Sequence, residues 1–141
     1  VLEDVWPLSR LNELLESSDF VVVTVPYTPA NENMLGEVEL VLMKPSAYLI
    51  VTSRGRIVEH NALVAALKDG TIAGAGLDAV VEEPFPADNE LWGLDNVIIT
   101  PHIAGNSPEL DERTCDIFEW NLRRYVNGEP LRNVVDLKLR Y

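Results

Sequence analysis

A chain of 141 residues, 47% apolar and 24% charged, has the size and balance of one soluble globular domain with a sizeable core. No apolar run nears the roughly 20 residues of a membrane span, and a net charge of −12 with acids spread along the chain speaks against a nucleic-acid partner. The single cysteine, Cys115, rules out an internal disulfide and suits a reducing cytoplasm; with only His60 and His102 beside it, no metal site of familiar spacing is expected.

The opening Val-Leu-Glu-Asp-Val-Trp has neither a basic stretch nor an apolar core, so no signal peptide is expected; without an initiator Met, the true start is expected upstream. Leu8, Leu11, Leu14 and Leu15 recur at helical spacing up to Ser17-Ser18-Asp19. Phe20 to Val25 is β-branched and nearly continuous in apolar character, which predicts a strand covered on both faces. Pro26 to Asn33 is turn chemistry, Glu37 to Met43 a short helix before Pro45, and Ala47 to Thr52 the next buried strand. His60 to Lys68 repeats apolar residues with a 3.6 period and has Gly70 as its stop. Ile72 to Val81 reads as a strand of small residues, and Val97 to Thr100 as a fourth, ended by Pro101. Ser107-Pro108-Glu109 predicts a helix start with a capping hydroxyl, and that helix should run to Val126 and end at Asn127-Gly128. The tail from Glu129 to Tyr141 reads as extended, with nothing evident to pack on.

Strand-helix-strand alternation with short links predicts an α/β fold: a Rossmann-like, doubly wound parallel sheet with helices on both faces. Four strands are about half of such a sheet. Lysine is confined to Lys44, Lys68 and Lys138, an acidic habit that fits a salt-loving source or plain solubility equally.

In open parallel sheets ligands bind beyond the carboxyl ends of the strands, so polar residues there are informative. Thr52-Ser53-Arg54-Gly55 follows one strand, Asp78 and Glu83-Pro84 follow the next, and His102 follows the fourth. A guanidinium can hold a carboxylate with two parallel hydrogen bonds and polarise the adjoining carbonyl. A histidine, with an ordinary pKa of ~6.5, can exchange a proton with the carbonyl oxygen. A carboxylate beside the imidazole would orient it and favour its charged form.

The ordered set Arg54-Gly55, Asn61 to Leu67, Gly74-Ala-Gly-Leu-Asp78, Glu83-Pro84 and Thr100-Pro-His-Ile-Ala-Gly105 resembles the D-2-hydroxyacid dehydrogenases, from about Leu8 to Val135. The resemblance implies an NAD- or NADP-dependent oxidoreductase that acts on a small D-2-hydroxy or 2-keto acid, as a homodimer. It implies Arg54 as the substrate-binding residue, His102 as the proton donor and acceptor, and Glu83 as the group that tunes it. It further implies cofactor contacts from Val25, Pro26, Asn31, Thr52, Ser53, Asp78, His102 and Gly105, with Asp78 on the nicotinamide carboxamide. Two positions depart from the family's habit: Val51 stands where Asn is common, and Asn31 where Thr is.

The family's glycine-rich phosphate loop should precede Leu8 by several tens of residues. Gly74-Ala-Gly76 is followed by strand-like sequence instead of a helix start, so those glycines are expected to serve close packing in the sheet. The expected organisation is therefore part of a nucleotide-binding domain over 1–126, and over 127–141 a tail returning toward a substrate domain. Two other readings stand beside the enzyme: a cofactor-sensing, corepressor-like regulator of the same fold, and a fragment inert by itself. Outside the site, His60 reads as a solvated helix-start residue, Cys115 as helix packing, and the tryptophans as too scattered for a stacking platform.

Overall fold

A computed structural model describes residues 4–138. The ends, including the first three residues of the opening segment and the last three of the tail, lie outside the described residues. The chain divides into two compact units, residues 1–104 and 105–141.

In the first unit the elements run α1 (Leu11–Ser17), β1 (Phe20–Val23), α2 (Glu37–Leu42), β2 (Tyr48–Val51), α3 (His60–Lys68), β3 (Gly74–Leu77) and β4 (Val97–Ile99). The four strands form one parallel sheet in the order β1-β2-β3-β4, with Val23 beside Val51, Val51 beside Leu77, and Leu77 beside Ile99. The fold is the expected α/β, Rossmann-like one. Gly74 confirms the packing role expected of it, because a Cβ there would lie 2.5 Å from the Asn96 carbonyl oxygen of the chain entering β4.

Helix starts follow local chemistry. The Glu59 carboxylate accepts hydrogen bonds from the backbone N–H groups of Asn61 (3.1 Å) and Ala62 (2.6 Å), satisfying donors that the first turn of α3 leaves free. The cap is therefore Glu59, while His60 places Nε2 3.1 Å from the Asn89 amide nitrogen. Before α2, Glu39 reaches back to the Gly36 N–H at 3.0 Å.

Side chains alternate along the strands. Val21, Val23, Leu49, Val51, Ala75 and Leu77 are buried, in one core with Leu15 of α1, Leu40 of α2 and Leu63 and Leu67 of α3. Phe20, Val22 and Ile98 point to the other face and are 65%, 55% and 72% exposed. Within the first unit the helices therefore pack on one face of the sheet, and the expectation of helices on both faces, and of a first strand covered on both, is not met inside that unit. The reason is topological: in a monotonic strand order each right-handed crossover steps the same way and lays its helix on the same face.

The second unit holds α4 (Leu110–Val126). It starts three residues after Ser107, whose hydroxyl makes no cap; its carbonyl accepts from Leu110 N at 3.1 Å, so Pro108 and Glu109 occupy a turn. Cys115 is exposed and not packed, since none of the residues of α4 is buried. The tail, as far as Lys138, does find partners on its own helix. Arg132 stacks on the Trp120 ring at 4.1 Å and its backbone N–H donates to Asn121 at 2.9 Å, while Arg124 pairs with Glu129 at 2.9 Å. Trp120 therefore is a stacking platform, but for the chain's own arginines. Among the described residues no helix is long and apolar enough to cross a membrane.

Candidate active site

The strands of the first unit end together, and the loops leaving β2, β3 and β4 bring three side chains to one place. Arg54 leaves β2 by way of Thr52 and Ser53, Glu83 lies in the loop after β3, and His102 lies just beyond β4. His102 Nδ1 is 2.8 Å from Glu83 Oε2, and His102 Nε2 is 3.5 Å from Arg54 Nη1. The set expected from sequence is thus assembled in space.

The histidine is held in an uncommon backbone state. Its φ is +55°, in the left-handed region that costs most side chains energy. Two anchors over-determine it. A tight turn around Pro101 joins the His102 N–H to the Thr100 carbonyl at 3.0 Å. Asp78, 6% exposed, then gathers the loop: Oδ1 accepts from Thr100 Oγ1 (2.5 Å) and Ile103 N (2.9 Å), and Oδ2 from Ala104 N (2.8 Å). Burial pushes the Asp78 carboxyl up, but these donors and the nearby His102 together hold it below the ordinary carboxylate range. Thr100 is an anchoring residue whose role, unlike its place in the motif, is not evident from the sequence.

Glu83 is fixed through both oxygens. Oε2 meets His102 and Oε1 accepts from the Val80 N–H at 3.2 Å. The hydrogen bond with His102 is the largest cause that lowers its pKa, against a smaller desolvation, with Val80 and the charges of His102 and Arg54 adding to it. Glu83 is therefore ionised at neutral pH, and its side chain and that of His102 remain about two-fifths exposed.

Arg54 is exposed, and its Nη1 donates to the Ser53 carbonyl at 2.7 Å, which turns the guanidinium toward His102. Two donors 3.5 Å apart can both reach one carbonyl oxygen. Beside the pair lies a cavity of about 670 Å³ whose walls include Val80, Phe85, Trp92 and Ile99. The sequence does not mark Trp92 for this wall, because its neighbourhood depends on how the loop after Glu83 folds back.

A shallower pocket of about 290 Å³ lies on the exposed face at the same strand ends. Ile50, Gly76, Ile98 and Ile103 give it an apolar floor, and Thr52 and Asp78 a polar rim. A planar ring with one amide substituent, such as nicotinamide, matches this mixture of surfaces. Three donors leave one acceptor position on Asp78 Oδ2.

The other residues expected at the cofactor are less uniform. Val25 and Pro26 are exposed just past the end of β1. Asn31 spends its side chain on its own loop, accepting from Thr28 N and donating to the Pro26 carbonyl, each at 2.8 Å. Thr52 Oγ1 is 3.4 Å from the Val23 carbonyl, and Ser53 Oγ is buried and has no hydrogen-bond partner among the described residues. Val51, the position lacking the usual Asn, is a core residue. Gly105 belongs to the second unit.

A parallel α/β sheet with Arg54, Glu83 and His102 converging at its carboxyl edge has its ligand side there, as open parallel sheets do. The family described as "D-isomer specific 2-hydroxyacid dehydrogenase, NAD binding domain" matches residues 3–104, and the chain belongs to that family. It is 47% identical over 123 residues to a glyoxylate reductase of Thermococcus litoralis, covering 87% of this chain and 37% of that protein. A glycerate dehydrogenase of Methylorubrum extorquens is 44% identical over 138 residues, covering 94% and 44%. Among solved structures, an NADPH-dependent glyoxylate/hydroxypyruvate reductase from Sinorhizobium meliloti, in complex with NADP and sulfate, superposes with a TM-score of 0.90 at 27% identity. It covers all of this chain and 46% of that one. The chain thus spans less than half the length of the curated relatives it matches.

Proposed function

We propose that this chain carries the acid–base half of an NAD(P)-dependent D-2-hydroxyacid dehydrogenase that reduces a small 2-oxo acid such as glyoxylate or hydroxypyruvate. The observation that carries the reading is the Arg54–His102–Glu83 arrangement at the strand ends, with the imidazole held between a guanidinium and a carboxylate. Family membership and the named relatives support it.

In this reading the substrate carboxylate binds Arg54, and its carbonyl oxygen lies between Arg54 Nη1 and His102 Nε2. A nicotinamide cofactor, when bound, would supply the hydride for the carbonyl carbon. His102 gives its Nε2 proton to the carbonyl oxygen, so the carbonyl becomes the 2-hydroxyl group of the product, and the reverse reaction returns the proton. Glu83 keeps the ring oriented by accepting from Nδ1 and stabilises the imidazolium before transfer. The apolar shelf by Asp78, with Thr52 and Ser53, would hold the nicotinamide ring, and Val25, Pro26, Asn31 and Gly105 would serve the rest of the cofactor. NAD and NADP are both admitted by these residues.

The same reading takes residues 1–126 as part of the nucleotide-binding domain and 127–141 as the chain's return toward a substrate domain. It places the intact enzyme in the cytoplasm as a homodimer, without nucleic-acid or membrane partners. The test is oxidation of NADH and of NADPH by the intact enzyme with glyoxylate, hydroxypyruvate, pyruvate and 2-oxobutyrate. Turnover of at least one is expected. Cofactor binding without turnover of any of them would favour a regulatory use of the fold.

A further inference from the structure

Arg54 and Glu83 reach the site from different loops, and one main-chain contact ties those loops together. Gly55 is buried and opens the short turn Gly55–Ile57 directly after Arg54. A Cβ placed on it would lie 2.1 Å from the carbonyl carbon of Val80, 2.4 Å from its oxygen and 2.5 Å from its Cα. Real Cβ atoms do not approach backbone so closely, and backbone cannot swing aside as a flexible side chain can. The need is for space and not for an unusual conformation, since Gly55 is not among the glycines with positive φ.

Val80 is also the residue whose N–H holds Glu83 Oε1 at 3.2 Å, leaving Oε2 to meet His102 Nδ1 at 2.8 Å. Displacing Val80 therefore moves the donor that aims the carboxylate. We propose that Gly55 is a positioning residue, which couples the Arg54 loop to the Glu83–His102 pair through the main chain of Val80. The proposal rests on the reading above that this pair moves the proton. Gly55 does not touch substrate in this account; it acts by where it holds other groups.

The experiment compares intact wild-type enzyme, Gly55→Ala and Gly93→Ala, the last because a Cβ on Gly93 meets nothing within 4 Å. Two quantities are read: kcat and KM with glyoxylate, and the downfield imidazole N–H proton resonance of His102 in protein carrying ¹⁵N-histidine. The expected result for Gly55→Ala is a fall in kcat of at least tenfold, a cofactor KM within about twofold of wild type, and loss of the His102 resonance. Gly93→Ala should keep all three. A folded Gly55→Ala protein that retains both the resonance and wild-type kcat overturns the proposal. The resonance does not depend on turnover, so its loss in Gly55→Ala would uphold the coupling even if wild-type enzyme reduced no 2-oxo acid. If Gly55→Ala does not fold, the wild-type Val80 amide nitrogen decides the matter: its shift should follow ionisation of Glu83, and a flat profile through the acid range overturns the link.

Discussion

Glu83 and His102 meet at 2.8 Å through the ring nitrogen that faces away from Arg54. One edge of the imidazole is thereby committed to the carboxylate and the other is left for a substrate. Glu83→Gln keeps the shape but removes the charge. A hydrogen bond to a charged group contributes roughly 1.5–3 kcal/mol, so kcat for 2-oxo acid reduction should fall about ten- to a hundredfold. Steady-state rates across the neutral range check this.

Asp78 anchors the His102 loop with three hydrogen bonds, and an amide cannot replace it. Asn has one acceptor oxygen, so its NH₂ group would face the backbone N–H of Ile103 or of Ala104 in this buried position. Asp78→Asn should cost about 1–3 kcal/mol of stability, seen as a lower urea midpoint with little change in slope. Its kcat should fall as well, because the left-handed turn at His102 loses its anchor.

Stability should depend on acid in a defined direction. The Asp78 and Glu83 carboxyls both titrate below their ordinary range in the folded protein. Their contribution is therefore complete above the unfolded carboxyl pKa values of roughly 4 and is lost as pH falls through the lower, folded values. Urea midpoints should show no loss from these groups between pH 6 and 8 and should drop on acidification below about 4. Asp78→Asn should show a shallower drop, since one of the two groups is gone. An equal drop would assign the acid sensitivity to other carboxylates.

Arg54 tests substrate anchoring separately from proton transfer. Lys keeps the charge but lacks the planar fork that matches a carboxylate. Arg54→Lys should raise the substrate KM on the order of tenfold or more while cofactor affinity stays near wild type. Initial rates against 2-oxo acid at saturating cofactor give the answer.

Much of this site was legible because parallel sheets place chemistry at strand ends. Arg54, Asp78, Glu83 and His102 each follow a recognisable apolar run, so their convergence could be read before any contact was seen. What escaped was main-chain geometry. The approach of Gly55 to Val80 and the N–H of Val80 on Glu83 involve backbone atoms that no residue type announces. The open sheet face at Phe20, Val22 and Ile98 escaped for another reason: an apolar run records what a strand can bury, while strand order decides which face receives helices. Likewise Ser107 had the right chemistry for a cap, but the chain spends Pro108 and Glu109 on a turn first.

The most direct test of the central claim is His102→Ala in the intact enzyme, assayed by nicotinamide oxidation with the best 2-oxo acid. Removing the proton donor should lower kcat by ~10²–10⁴, with cofactor binding preserved. Near-normal turnover by His102→Ala would contradict the account, because it assigns the proton transfer to that ring.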